Sequence, residues 1–386
     1  FRVVAVATRA FDSGKLRYGA DDEADLTVQG FIAFLDPPKE TAGPAIADLA
    51  KVGVIVKILT GDNALVTRKV CLDVGLDPGR IVLGHEVEGL SDAALAELAQ
   101  TTTVFAKVSP EQKARVIAAL RQRDHVVGFL GDGINDGPAL KAADVGLSVD
   151  TAVDIAKESA DIILLEKSLG VLTVGVREGR RVFGNITKYI KMGASSNFGN
   201  MFSVLGASLF LPFLPMLPIQ ILTNNLLYDV SQSAIPTDQV DEDYLASPRS
   251  WEIDNLLRFI MFIGPISSVF DYLTFGLMLT LFHAGQNPAL FQTGWFVESL
   301  LTQTLIIHII RTAKIPFLQS RASVALTGTS LVVAAIGVSL PYTPVGGALG
   351  MVPLPALYWP VVVALLLTYA TLTHLVKSAF IRKWGY

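Results

Sequence analysis

The chain has 386 residues, of which 51% are hydrophobic and 17% charged, with a mean hydropathy of +0.48. That is too apolar for an average soluble protein, so part of the chain belongs in a bilayer, and the length leaves room for two or three domains. A net charge of −4 excludes the basic footprint that nucleic-acid binding requires, and the single cysteine, Cys71, excludes a disulfide or a cysteine-built metal site within the chain.

Residues 1–7 read as a strand already inside a domain, not as a signal peptide, so the sequence is expected to open within a longer protein. Continuous apolar, β-branched runs at 26–35, 52–59, 104–108, 126–130, 145–149 and 162–165 alternate with amphipathic helical stretches. This is the pattern of a Rossmann-type α/β domain, a parallel sheet buried on both faces by helices. One helix start is explicit: Ser109-Pro110-Glu111-Gln112 offers an N-cap serine, proline at the first helical position and glutamine three after the cap, which puts Lys113 in the first turn.

Ligands of open parallel sheets bind beyond the carboxyl ends of the strands. Three segments stand there: Thr60-Gly61-Asp62-Asn63, then Ser109 with Lys113, then Gly131-Asp132-Gly133-Ile134-Asn135-Asp136-Gly137-Pro138. In the last, Gly131 and Gly133 let the backbone turn tightly, and Asp132 and Asp136 place two carboxylates in one loop, a donor set suited to magnesium alongside phosphate. Gly-Asp-Gly alone is ordinary turn chemistry, but the whole run after a buried strand is not. A lysine in a first turn usually faces solvent; beside a magnesium and phosphate site, Lys113 is expected to neutralise phosphoryl charge. Thr60 offers a hydroxyl and Asp62 a carboxylate near a nucleotide, the alternative being a cap on the helix after them.

Beyond Arg181 the charges thin out, and six candidate spans lie at roughly 183–211, 217–236, 256–282, 295–310, 324–340 and 357–381. The turns at 212–218, 283–294 and 341–355 contain no Lys or Arg, whereas the opposite ends carry Arg180, Arg181, Lys188, Lys191, Arg311, Lys377 and Lys383 among others. By the positive-inside rule those ends, the soluble domain and the C-terminus are cytoplasmic. Polar groups within spans are functional candidates: Asn197 and Asn200 in the first, and Asn224, Asn225, Asp229, Ser231 and Gln232 in the second, with Asn225 and Asp229 on one helix face. Interhelical hydrogen bonding is the alternative for the asparagines. Asp271, Glu298, Gln303 and His308 either line a pathway or tie helices together.

Thr60-Gly61-Asp62, Lys113 and the 131–138 run, in this order and spacing, resemble the phosphorylation domain of the P-type ATPases, within the haloacid dehalogenase superfamily. The resemblance implies that Asp132 and Asp136 hold catalytic Mg2+, that Lys113 contacts the phosphoryl group, that Asn135 belongs to the same loop chemistry, and that the 60–62 loop lies near ATP. It also implies an aspartyl-phosphate intermediate formed on an Asp-Lys-Thr-Gly-Thr segment, which this sequence does not contain. By the same resemblance the chain divides into the end of a nucleotide-binding domain (1–20), a phosphorylation domain (21–178) and a six-helix membrane domain (179–386). It would sit in a bacterial plasma membrane and need the N-terminal part of the pump as partner. Calcium pumps of the family carry Asn-x-x-Glu and Asn-x-x-x-Asp on the corresponding two spans; here Asn197, Asn225 and Asp229 match, but Asn200 replaces the glutamate. That departure, the 225–232 run and Asp36-Pro37-Pro38-Lys39 resemble the magnesium-transporting subfamily, with Asn197, Asn200, Asn225 and Asp229 as ligands of the transported ion. The alternatives are a proton or calcium pump, an inactive fragment, or a soluble phosphatase fused to an anchor. The last would need an Asp-x-Asp nucleophile motif at a strand end, and there is none.

Overall fold

The computed structural model describes residues 2–12, 14–34, 38–166 and 168–385; Asp36 and Pro37 lie outside the described residues. The chain forms two compact units, Phe1–Gly175 and Val176–Tyr386, so the division falls slightly before the expected one at 178.

The first unit opens with β1 (Arg2–Thr8) and β2 (Thr27–Phe34), paired antiparallel with Val4 opposite Ile32. This corrects the first strand expected of the parallel sheet: the run at 26–35 is half of an antiparallel ribbon, and residues 2–8 supply the other half. Helix α1 (Ala42–Lys51) comes next, and its end explains why β3 is only Ile58–Leu59 instead of 52–59. Val52 is the helix C-cap and Gly53 takes φ +74°, a left-handed helix stop, so those apolar residues finish a helix and do not begin a strand. Then come α2 (Ala64–Asp73), β4 (Ile81–Leu83), α3 (Gly84–Glu88), α4 (Asp92–Thr101), β5 (Val104–Ala106), α5 (Pro110–Arg121), β6 (Gly128–Leu130), α6 (Gly137–Ala142), β7 (Val145–Val149), α7 (Asp154–Ser159) and β8 (Ile162–Leu164).

All pairing among β3 to β8 is parallel, as expected, but the strands form two three-stranded sheets in the orders β3-β5-β4 and β6-β7-β8. Strand β4 is not legible in the sequence, because three residues between a Pro-Gly turn and a helix carry no periodicity. The first sheet has the deeper core: Val82, Val87, Leu95, Phe105 and Val116 are fully buried between β4, β5, α3, α4 and α5. The predicted capping box of α5 is present, with Gln112 N donating to Ser109 Oγ at 3.2 Å and Ser109 N to Gln112 Oε1 at 2.9 Å.

The second unit is helical: α8 (Gly170–Phe210), α9 (Pro218–Gln232), α10 (Glu242–Leu245), α11 (Ile253–Thr280), α12 (Pro288–Ile310), α13 (Val324–Ser339), α14 (Pro344–Ala348) and α15 (Tyr358–Trp384). Among the described residues four helical segments are long and apolar enough to cross a membrane: Ile253–Thr280, Pro288–Ile310, Val324–Tyr342 and Tyr358–Trp384. The first two of the six expected spans fall short of that standard for a physical reason. Helix α9 has 15 residues, about 22 Å, against a hydrocarbon core of about 30 Å, and Asn224, Asn225, Asp229 and Gln232 make it polar. Helix α8 is long enough but carries charge and amides along its length.

Helix α12 is the central pillar, with Phe291, Trp295, Phe296, Leu300 and Ile307 all buried. Small residues bring α8 against α11: a Cβ on Gly199 would collide with Ser267 Oγ and meet the Gly264 carbonyl at 2.8 Å, and Ser268 Oγ donates to the Gly199 carbonyl at 2.8 Å. At one end of the bundle Asp238, 0% exposed, accepts from Lys188 Nζ and Arg311 Nε, each at 2.8 Å, and from Ser323 N at 3.1 Å. Lys377 Nζ donates to the carbonyls of Ile309, Thr312 and Lys314, closing the C-terminal turn of α12. Lys188, Arg311 and Lys377, expected as positive span ends, are therefore buried structural cations.

Candidate functional site

In the first unit the loop after β6 is organised by one carboxylate. Asp136 is 9% exposed; its Oδ1 accepts from Lys113 Nζ at 2.7 Å and its Oδ2 from the backbone N–H groups of Asp132 and Gly133 at 3.2 and 3.1 Å. Helix α5 packs on α6, and this brings Lys113 across to the loop. Gly131 and Gly133 keep negative φ, so the freedom to adopt a left-handed turn is not what the loop uses. Space is: a Cβ on Gly131 would stand 2.6 Å from the Cβ of Asp136, which folds over it. Beneath the loop, Ser148 Oγ, fully buried in β7, donates to the Gly131 carbonyl at 2.9 Å.

Asp132 and Asn135 are exposed, and no described residue donates to the Asp132 carboxylate. The loop thus has one carboxylate committed to holding it and one left open. That donor set fits magnesium, which binds through one or two carboxylates and completes its shell with phosphate and water. Among the described residues no three His, Cys, Asp or Glu side chains converge into a closed metal cage.

The Thr60 to Asp62 loop is clipped to the end of β5, with Thr60 N donating to the Phe105 carbonyl, Val108 N to the Thr60 carbonyl and Lys107 N to the Asp62 carbonyl. Lys107 holds φ +53° at this junction. The cap of α2 is Asn63, whose Oδ1 accepts from Val66 N at 3.0 Å. Neither Thr60 nor Asp62 serves as that cap; instead Asp62 N and the Thr60 hydroxyl close a local turn at 3.1 Å, leaving the Asp62 carboxylate exposed beside Gly61.

In the second unit Asn197, Asn225 and Asp229 share one open groove of about 440 Å3 with Tyr228 and Gln232. These three of the four expected ligands are exposed there, and none of their side chains pairs with a described residue. Asn200 does not join them: one turn further along α8, it lines a separate small cavity with Asp271 and Gln303. Asn224 turns inward, donating to the Phe296 carbonyl at 3.2 Å and accepting from Gln303 Nε2 at 3.2 Å, so for this asparagine the interhelical alternative is the observed one. Sequence reasoning misses Ser148, Tyr228 and the linchpin role of Asp238. A lone serine in the apolar run 145–149 is the available signal for the first.

Comparison with known proteins agrees with this architecture. Residues 6–144 match the family described as haloacid dehalogenase-like hydrolase, and residues 213–379 match that described as cation transporting ATPase, C-terminus. Along its whole length the chain is 57% identical to "Magnesium-transporting ATPase, P-type 1" of Salmonella typhimurium and equally to that of Escherichia coli, and it covers 43% of each. It is 34% identical over 63% of its length to a "Calcium-transporting ATPase" of Bacillus subtilis, of which it covers 28%. The chain therefore spans less than half the length of these relatives. Its parallel α/β unit, its bundle of membrane-length helices and these matches together lead to one conclusion: the chain belongs to the P-type cation-transporting ATPases and carries the haloacid dehalogenase-like and C-terminal membrane parts of that family.

Proposed function

We propose that this chain is the C-terminal part of an ATP-driven pump that imports magnesium across a bacterial inner membrane. Residues 1–20 complete a nucleotide-binding domain, 21–178 a phosphorylation domain and 179–386 the last six membrane helices. The soluble unit and the C-terminus are cytoplasmic. The observation that carries the reading is the groove of Asn197, Asn225 and Asp229, where one carboxylate and two amides are gathered without any protein partner among the described residues. An unpaired carboxylate at membrane depth is costly unless a cation or further protein meets it. One charge with amide oxygens suits a divalent ion that keeps part of its water shell. The remainder of the pump is the partner expected to cover this face.

In the phosphorylation domain Asp132 would hold catalytic Mg2+, which when bound offsets charge on the transferred phosphoryl group. Asp136 holds the loop and orients Lys113, whose ammonium would offset phosphoryl charge. Thr60, Gly61 and Asp62 would present a hydroxyl, a bare backbone and a carboxylate to ATP at the carboxyl end of β3, and exposed Asn135 would offer an amide after β6. The acceptor aspartate comes from the rest of the pump, since this sequence has no Asp-Lys-Thr-Gly-Thr segment.

The test is growth on limiting magnesium of a bacterium stripped of its magnesium uptake systems and given the complete pump, intact or Asp229→Asn. Rescue by the intact pump and failure by a normally expressed variant supports magnesium passage through the groove. Equal rescue by both removes Asp229 from the path; rescue by neither sends the choice of ion back to calcium or protons.

A further inference from the structure

Among the described residues, the membrane unit buries two carboxyl groups that form no ion pair with Lys, Arg or His. Asp271, on α11, is 2% exposed and Glu298, on α12, 1%. Asp271 is supplied with donors: Trp295 Nε1 to Oδ1 at 2.7 Å and Ser203 Oγ to Oδ2 at 2.5 Å. Neither oxygen of Glu298 accepts an N–H or O–H from any described residue. Trp295, which donates to Asp271, stands one helical turn before Glu298 on α12, so both carboxyls belong to the same buried stretch of the α11–α12 contact. Around them the titratable groups are Tyr272 on α11 and Tyr358 and Tyr369 on α15. Helix α8 contributes Ser203, α13 has no charged residue, and the one charged side chain of α9, Asp229, faces the groove instead. No Lys, Arg or His among the described residues forms an ion pair with either carboxyl.

Beside Asp271 is a small cavity of about 10 Å3 lined also by Ser195, Ser196, Asn200 and Gln303. The two serine hydroxyls and Gln303 Oε1 have no partner among the described residues. The space is at the lower limit of what one water needs, and the lining supplies more than the two to four polar contacts a buried water makes. It cannot take a divalent ion with its octahedral shell.

We propose that Asp271 and Glu298 form a proton-binding site, separate from the groove, that holds one proton between the two carboxyl groups. Glu298 is the protonated member and donates its O–H to Asp271, which stays ionised on its two donors. Two adjacent carboxylates in a water-poor interior repel each other and each is costly to bury. A single proton removes one charge, supplies the donor that Glu298 otherwise lacks, and leaves the remaining charge on the carboxylate that Trp295 and Ser203 already solvate. The assignment holds whichever cation the groove carries.

Infrared spectroscopy of the complete pump in lipid nanodiscs tests it. At neutral pH the intact pump is expected to show the C=O band of a protonated carboxyl, shifted by deuteration, lost in Glu298→Gln, displaced in Asp271→Asn and unmoved in Asp229→Asn. No such band in the intact pump, or a band unmoved by both Glu298→Gln and Asp271→Asn, overturns the proposal. Should Glu298→Gln fail to fold, the Asp271→Asn spectrum decides in the same way.

Discussion

The two units distribute their carboxylates by the same division and at different scales. In the α/β unit Asp136 is satisfied by Lys113 and two backbone N–H groups, while the Asp132 carboxylate in the same loop takes no donor from any described residue. In the membrane unit Asp238, in the connection after α9, is held by Lys188, Arg311 and Ser323, while Asp229 on α9 itself is open to the groove. Structural holding and exposure thus fall to different residues in both places. In a polar loop the two can sit side by side because backbone N–H groups are at hand. Beyond the first turn of a helix the backbone donors are already used, so α9 offers none to Asp229, whereas Asp238, outside that helix, takes its donors from three separate segments.

The largest effect is expected where the comparison is most sharply drawn. Asp238→Ala strands two buried cations at once, and breaking a buried pair costs roughly 3–5 kcal/mol; thermal unfolding of the complete pump in detergent should show a large loss, with Asp229→Asn leaving the transition in place. The same carboxylate sets an acid limit. Burial alone would raise the Asp238 carboxyl, but the Arg311 hydrogen bond and the Lys188 charge outweigh it and hold it below the ordinary aspartate value. A depressed carboxyl contributes stability that is fully present above the unfolded aspartate value and lost as pH falls through the folded one. Unfolding temperature should therefore drop on strong acidification in the intact pump, and drop less in a variant that has already lost Asp238.

In the α/β unit, Asp132→Asn is expected to lower phosphoryl transfer by the complete pump by about 100-fold or more with unfolding unchanged, since on the proposed function it removes a magnesium-holding charge and it breaks no structural bond. Asp136→Asn should cost roughly 1–3 kcal/mol as well as activity, because a hydrogen-bonded buried acceptor is weakened. Equal loss of stability in both would break the division between anchor and ligand. Gly131→Ala belongs with Asp136: a methyl 2.6 Å from the Asp136 Cβ forces the loop apart at roughly 1–3 kcal/mol.

Much of this is legible in the residues. Parallel strands announce themselves as unbroken apolar runs, and Ser109-Pro110-Glu111-Gln112 locates the start of α5 to the residue, because caps are local chemistry. Asn225 and Asp229 share a face by helical spacing alone, and Asn197 does meet them. What cannot be read is direction around α8: Asn197 and Asn200 are three apart, near enough to suggest one site, yet they open into different cavities because Asn200 faces α11 and α12. Nor can sequence tell that Lys188, Arg311 and Lys377 turn inward, since a cation at a span end looks the same whether it meets water, lipid headgroups or a carboxylate distant in the chain.

The smallest prediction separates two neighbours that sequence leaves equivalent. Thr60 or Asp62 could have capped α2, but Asn63 is the residue whose side chain accepts from Val66 N. Asn63→Ala should therefore cost about 1 kcal/mol, the usual value of an N-cap, and leave nucleotide affinity of the complete pump nearly unchanged. Asp62→Asn should do the reverse, because its carboxylate holds up no helix and faces the open end of the strands. If Asp62→Asn destabilised the protein as Asn63→Ala does, with ATP binding intact, Asp62 would join Asp136 and Asp238 among the anchors, and the nucleotide side of the site would rest on Thr60 and Gly61.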